Sequence, residues 1–410
     1  MKGSAIIIAF ILIVVGSLIV GGFLLYVSGE SRMTKTLCDS IKGLYIAEAG
    51  LERAISDLTT DSNWFDGDIK GYTAQGINTE TFVPVDFNPE GVGNSVSFGG
   101  GEYSVEVMKI KNHKVTLKSN GTLRGRERTI SEDVSRSGIF DWAFFGDEGV
   151  ELKNSALIDS YNSEDGPYDP DDPGSSGDTG TNSIESGSIT LKTDAKIDGD
   201  AVIGEGGDIE TSIDNKGTIT GEESAADSQV ELPENPPVPE NLADKGTLTV
   251  DGNTTISGSG RYESISINNN TILTIDADAT IYVGGILLLK QGSEIDITNG
   301  AEVIVYINGS LDMKEGTKIN DPGNDPQMMT LYATDNVTSI ELKHDNVFYG
   351  SIYARKADAV IKNSARIYGA IAAKTMELKN SAAVHYDEAL AGTGPGGGKL
   401  KVSNWKEVYE

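Results

Sequence analysis

The chain has almost no cysteine. Cys38 is the only one in 410 residues. No intrachain disulfide can form, so an exported body must rely on packing alone. Cys38 could cross-link two copies of the chain, but it reads first as an ordinary helix residue. Proline is absent before Pro84, which leaves the N-terminal segment free to run as one helix. Aromatic residues are only 7% of the chain, against 49 glycines, which predicts many turns. Positive charge is also scarce. Lys and Arg total 33 against 62 Asp and Glu, for a net charge of −29. No dense basic patch occurs, so binding to nucleic acid is not expected. The acidic excess is read as a solubility device for an exposed surface. At 410 residues the chain exceeds one ordinary core, and two or three domains are expected.

Against those absences stands one long apolar run. Ala5 to Val27 carries no charge, and about 23 residues suffice to cross the roughly 30 Å hydrocarbon core of a bilayer. A removable secretory signal would have a shorter core and a small-x-small cleavage site. Only Lys2 precedes this run and no such site follows it, so a retained single-pass anchor is expected. Arg32, Lys35 and Lys42 beyond the run count against export of the C-terminal body. The acidic, Gly/Thr/Asn-rich character of that body outweighs them, and it is placed outside the cytoplasm.

Helical periodicity continues past the anchor. Met33, Leu37, Ile41, Leu44, Glu48, Leu51, Ile55 and Leu58 are spaced by threes and fours and predict one apolar stripe. Anchor and stripe together predict a single membrane-spanning and stalk helix over 4–58, about 80 Å long at 1.5 Å per residue. Glu48 falls on the stripe. It either turns outward to meet Lys42 or Arg53, or makes a contact between subunits. Ser17 and Gly21 form a small-xxx-small pair that permits close helix packing in a membrane.

Residues 59–100 read as loop. EYSVEVMKI, KVTLKSN and RERTISEDV then read as three antiparallel strands, with turns at Lys111–Asn112 and Asn120–Gly121. They close a small domain over 59–137.

The texture then changes. Leu152-Lys-Asn-Ser-Ala156, Leu191-Lys-Thr-Asp-Ala195, Leu342-Lys-His-Asp-Asn346, Ile361-Lys-Asn-Ser-Ala365 and Leu378-Lys-Asn-Ser-Ala382 repeat one phrase. Self-similarity at roughly 20 residues, with β-branched stretches and Asn/Gly corners, predicts a solenoid. The fold class is mainly β, with a right-handed single-stranded β-helix over 138–390. Inward positions are expected at Ile286, Leu288, Ile295, Ile297, Val303, Val305, Ile307, Ile340, Leu342, Val360, Ile361 and Ile367. Asn corners tolerate left-handed backbone and can form ladders between coils. Two interruptions are expected: an acidic loop at 166–187 and a stiff Pro-rich strap at 231–240. A Gly hinge and tail occupy 391–410, with Trp405 docking on the solenoid end.

The N-terminal segment resembles the PilX-type pilus assembly proteins, relatives of type IV pilins and type II secretion pseudopilins. Lys2-Gly3-Ser4-Ala5, Glu30-x-Arg32-Met33 and Tyr45-Ile-Ala-Glu48-Ala-Gly-Leu51-Glu-x-Ala54 carry the likeness. The resemblance implies a leader at 1–3, cut by a prepilin peptidase between Gly3 and Ser4. It also implies partnership with other pilins through the helix. The fifth mature position, a glutamate in major pilins, is Ile8 here. That departure implies a minor, priming or tip subunit.

The C-terminal half resembles an uncharacterised β-helix domain often found behind such segments. Asp159-Ser-Tyr161, Tyr349-Gly350, Tyr353, Tyr368-Gly369 and His385-Tyr386-Asp387 carry that likeness, as structural signatures.

Other sites are weighed on their own residues. Asp169, Asp171, Asp172 and Asp178 offer the oxygens Ca²⁺ takes, but without EF-hand spacing, so a solvated loop is expected and no cofactor or metal. Asp276, Asp278, Glu294 and Asp296 are the acids a polysaccharide-active β-helix enzyme would use. They lack an accompanying Lys/Arg pair, and the chain is expected not to be an enzyme. The expectation is a membrane-inserted minor pilin displaying an acidic β-helix for adhesion, glycan binding or capping. A surface polysaccharide enzyme and a membrane-tethered, polymer-forming β-helix are the alternatives.

Overall fold

The computed structural model describes residues 2–60, 82–85, 95–111, 114–298, 300–320, 325–397 and 399–408. The chain divides into two compact units, 1–135 with 400–410, and 136–399.

The first unit is a helix on an antiparallel sheet. α1 (Lys2–Thr60) is unbroken, as the lack of proline predicts. It packs chiefly on β3 (Gly101–Lys111) and β4 (Lys114–Leu123). β1 (Val83–Pro84) and β2 (Ser95–Phe98) flank β3, β5 (Arg126–Ser137) follows β4, and the strand Lys399–Val408 lies beside β5.

Several expectations are corrected here. The buried face of α1 is Gly43, Ile46, Ala47, Gly50, Leu51, Ala54 and Leu58. It is rotated from the predicted stripe. Met33, Leu37 and Ile41 are exposed, while Leu44, Glu48 and Ile55 are half-buried. The reason is close approach. A Cβ on Gly50 would stand 2.4 Å from Ser119 Oγ, and one on Gly121 would stand 2.2 Å from the Gly43 carbonyl. Small residues let helix and sheet meet, and larger apolar ones are left on the far side. Gly121 therefore lies within β4, in contact with α1. The turn falls instead at Arg124–Gly125, where both residues have positive φ. Asn112, in the other predicted turn, lies outside the described residues. Within 59–100, β1 and β2 are strands where loop was expected, and residues 61–81 and 86–94 lie outside the described residues. The tail strand Lys399–Val408 pairs within the first unit's sheet, with Trp405 half exposed.

The second unit is a 25-stranded sheet whose strands pair in parallel. The pairs form three ladders, each strand meeting a strand from the next repeat. In one ladder the buried residues follow as Val250, Ile267, Leu289, Met313, Leu342, Ile361, Leu378, Leu152 and Leu191. In a second they run Leu273, Ile295, Ile319, Phe348, Ile367, Val384, Ile158 and Ile197. Each strand buries one face of large aliphatics against the other strands, which removes that apolar surface from water. The predicted inward set holds except at Ile286, Leu288 and Val360, which are half-buried and alternate with buried Leu287, Leu289, Ala359 and Ile361. The unbroken apolar run Ile286–Leu289 hides its own phase of two.

Stacking order departs from chain order. The tiers climb from Asp244–Val250 to Ala383–Asp387. The N-terminal strands Phe144–Gly146, Val150–Lys153 and Leu157–Tyr161 then continue on top of them. Strands Ile189–Leu191 and Ile213–Asn215 follow. The chain thus enters the stack in its middle, climbs to one end, and returns to the other through residues 226–243. That return is the predicted strap. Asn182 exchanges side-chain hydrogen bonds with the Val230 backbone at 2.8 Å, the Tyr353 hydroxyl donates to Pro233 O at 2.6 Å, and Asn235 Nδ2 donates to Ala333 O at 2.8 Å. The predicted 166–187 loop is only partly loop. Thr179–Gly180 is a buried strand paired with Phe144–Phe145.

Candidate functional site

Three features gather the residues singled out by sequence. The first is the open face of α1. The described part of α1 is long and apolar enough to cross a membrane by length and composition. Phe10, Leu18 and Leu25 are more than three-fifths exposed. The open surface continues through Met33, Leu37, Ile41 and Tyr45; residues 31–38 are exposed on every side of the helix, and packing on the sheet begins at Asp39. Ser17 Oγ donates to Ile13 O at 2.8 Å, and no atom lies within 4 Å of the place a Cβ would take on Gly21. Gly3, Ser4 and Ile8 lie on α1, but their side chains fall outside the described set.

The second is the seam between Leu378–Ala382 and Leu152–Ala156. Asn363, Asn380 and Asn154 take left-handed backbone at one corner of successive tiers. Their amides form a ladder: Asn380 Nδ2 donates to Asn363 Oδ1 at 2.9 Å, and Asn154 Nδ2 to Asn380 Oδ1 at 2.8 Å. Beside it Lys153 bridges Glu151 and Glu377, each at 2.7 Å, and Lys379 reaches Glu377 at 2.6 Å. The repeated phrase is therefore the motif of neighbouring tiers, which is why its best copies stack together.

The third feature is an aromatic and carboxylate cluster that collects most of the signature residues. Tyr349, Tyr368, His385 and Asp159 occupy one position in four successive tiers. Tyr349 stacks on Tyr368 with centroids 4.2 Å apart, and Tyr368 lies 4.8 Å from His385. Tyr168, from the loop after Tyr161, covers the His385 ring at 3.9 Å and donates to Asp159 Oδ2 at 2.7 Å. His385 Nδ1 meets Asp159 Oδ1 at 2.6 Å, with both side chains buried. Burial and the bond to Asp159 push the Tyr168 phenol well above its ordinary range. Sequence reasoning missed Tyr168, which stands apart from the repeats in an acidic loop. Its signal was an aromatic residue in an otherwise small and acidic segment.

Gly350 and Gly369 sit one residue beyond the stacked tyrosines, with φ near +145°. A Cβ on Gly369 would stand 1.9 Å from Gly350 O. Only glycine turns that corner with its neighbour so close. Tyr353 is fully buried beneath the strap, and the Tyr386 hydroxyl donates to Phe140 O at 2.7 Å.

Asp387 lies beside Tyr161 in register and has no exposed surface. Its Oδ1 accepts from the Ser163 and Ala389 amides at 2.9 and 3.1 Å, while Oδ2 and the Tyr161 hydroxyl find no partner among the described residues. Burial pushes this carboxyl up to about 6, the two amides pulling the other way and Asp325 adding a smaller push upward.

The remaining candidate acids are dispersed. Asp169 Oδ1 accepts from the Asp171 amide at 2.9 Å in a local turn, whereas Asp178 Oδ1 accepts from the Asp200 amide in another tier. Among the described residues no three His, Cys, Asp or Glu side chains converge as a metal set. On the outer face Asp276 accepts from Ser257 Oγ at 2.5 Å, Asp278 from the Glu302 amide at 3.0 Å, and Glu294 faces Lys318 at 4.0 Å. Glu294 and Asp296 point outward from one strand between buried Ile295 and Ile297.

Residues 207–393 match the family model described as Domain of unknown function (DUF7305). No curated protein matches the chain. Among solved structures, the chain is similar to the crystal structure of the competence-associated pilin ComZ from Thermus thermophilus. That similarity has 12% identity and a TM-score of 0.26, covering 90% of this chain and 98% of that one.

Proposed function

We propose that the chain is a minor, pilin-like subunit, held in the membrane by α1 and then assembled with other pilin-like subunits through that helix. The observation that carries the reading is the division of α1 into a part packed on its own sheet and a part left open. Gly43, Ala47, Gly50 and Ala54 are buried against the unit's own sheet, while the anchor and the Met33–Leu37–Ile41–Tyr45 surface remain open. An apolar face of that length outside its own core needs lipid first and a partner helix afterwards. Prepilin peptidase would act between Gly3 and Ser4. With Ile8 at the fifth mature position, no carboxylate is offered there to a neighbour's amino terminus, as suits a tip or priming subunit.

In this reading the three parallel ladders wind as a right-handed β-helix, displayed outside the cytoplasm for adhesion or capping. The body carries no reaction of its own: His385 is enclosed by Tyr168 and Tyr368, and the outer acids Asp276, Asp278 and Glu294 are engaged with neighbours. N-terminal sequencing of the membrane-extracted protein tests the reading. A chain beginning at Ser4 supports it, and one beginning at Met1 or beyond Val27 contradicts it.

A further inference from the structure

A cleft of about 460 Å³ opens where the strap crosses the seam, within the roughly 300–1,000 Å³ span of small-ligand sites. Its walls come from three distant segments. Asp147 and Asn182 belong to the N-terminal strands, Arg355 and Lys356 to the tiers below them, and Gln229–Glu234 to the strap.

The walls are fixed in advance. Asn182 holds the strap at Val230 through both polar atoms of its amide and also donates to Asp147 Oδ1 at 2.8 Å. Pro233 O is held by the Tyr353 hydroxyl. Arg355 is locked on Asp335 through two hydrogen bonds, 2.8 Å from Nε and 2.5 Å from Nη2, with Glu234 at 3.7 Å. Lys356, Gln229 and Glu234 project from these walls with exposed side chains. A cleft whose scaffold is already ordered loses little entropy when it takes a ligand.

The lining restricts the ligand's chemistry. It has no aromatic ring, so it offers no platform to a planar ring system. Three carboxylates, Asp147, Glu231 and Glu234, face two cations, one of which is already committed to Asp335. Anionic ligands are therefore repelled. Apolar contact comes only from Val230, Leu232 and Pro233, too little for a lipid chain. Carboxylate acceptors set beside ammonium and amide donors match vicinal hydroxyls, which donate and accept at once. We propose that this cleft binds a short neutral saccharide. The proposal rests on the reading of the parallel body as displayed outside the cell, to which it assigns a ligand class.

The test uses the full chain in a detergent without a sugar headgroup. Cellotriose, maltotriose and chitotriose are presented in turn at millimolar concentration, with trigalacturonate as the acidic control. Binding is read by saturation-transfer NMR and calorimetry. The expected result is binding of at least one neutral trisaccharide and none of trigalacturonate. Lys356→Ala and Gln229→Ala are each expected to weaken binding by roughly tenfold, the loss of about one hydrogen bond to a charged or polar group. Both side chains are exposed, so thermal unfolding should not move. Three results would overturn the proposal: no binding of any of the three sugars, unchanged affinity in both variants, or preference for the uronate. A chain that starts at Ser4 yet binds no sugar would overturn this proposal alone and leave the pilin-like reading standing.

Discussion

Asn154 donates its side-chain amide to Asn380 across 226 residues of chain, at 2.8 Å. This one bond marks where the stack is spliced. Below it the chain has climbed from Asp244 to Asp387, and above it the strands that were made first continue the climb. The seam is as regular as any other step, because the same five-residue phrase stands on both sides.

The seam should therefore behave as core. Leu152 and Leu378 are fully buried and adjacent in register. Leu152→Ala and Leu378→Ala are each expected to cost about 2–5 kcal/mol, and the pair to be non-additive. Lys153→Met, which removes the bridge between Glu151 and Glu377 on the surface, should cost less than about 1 kcal/mol. Chemical unfolding of the three variants checks the contrast. Equal effects would mean that the two stacks are not joined at Leu152.

The corner glycines separate two kinds of cost. At Gly369, φ is +144° and an added Cβ would stand 1.9 Å from Gly350 O. At Gly166, φ is +138° but no atom lies within 4 Å. Gly166→Ala should show backbone strain alone, about 1–3 kcal/mol. Gly369→Ala should add a clash and abolish the folded body or cost markedly more. Thermal unfolding of both variants distinguishes the two.

Asp387 predicts how stability responds to pH. Its carboxyl is pushed up to about 6 in the folded chain, above the ordinary value of about 3.9. The folded state therefore holds this proton more tightly than the unfolded one. The stabilisation is complete below about pH 4 and is lost as pH rises through about 6, a change on the order of 3 kcal/mol. Asp387→Asn keeps the acceptor that Ser163 and Ala389 use and removes the charge. It should be more stable than the parent at pH 7.5 and flatten the profile between about pH 4 and 6. A destabilised Asn variant at pH 7.5 would count against a costly buried carboxylate.

In the first unit, Gly50→Val should separate α1 from its sheet. The new side chain would meet Ser119 and Tyr103, whose atoms lie within 3 Å of the added Cβ. A loss of about 1–3 kcal/mol or more is expected from overpacking. Leu37→Ala, on the open face, should leave the unit's own stability within about 0.5 kcal/mol.

These contrasts show what the sequence made legible. The repeated strands, the Asn corners, the strap and the long helix were all visible, because each rests on local chemistry: β-branched strands, left-handed Asn, proline stiffness, and an unbroken apolar run. Three things were not. The splice at Leu152 depends on which edge is free once Leu378 is placed, and no local pattern carries that information, although the near-identity of the two phrases hinted at it. The buried face of α1 was missed because the periodicity was counted over large apolar residues, while helix and sheet meet through Gly43, Ala47, Gly50 and Gly121. The turn at Arg124–Gly125 was passed over for Asn120–Gly121, since a glycine needed for close approach looks the same as one needed for a turn. In the cluster, Tyr349, Tyr368 and His385 were named from the sequence only as signature residues of a resemblance, and the register of the parallel strands is what aligns them. Tyr168 reaches them from a loop, and loop placement is set by tertiary contacts.

The claim that α1 buries one part on its own sheet and offers the exposed remainder to neighbouring subunits is tested most directly by photo-crosslinking in intact membranes. A photoreactive amino acid at Leu37, with one at Ala54 as the buried control, would be activated and the adducts identified by mass spectrometry. The account predicts that position 37 joins the helix of another pilin-like chain while position 54 joins only the strands of its own sheet. Adducts from position 37 confined to lipid or to the same chain would contradict it.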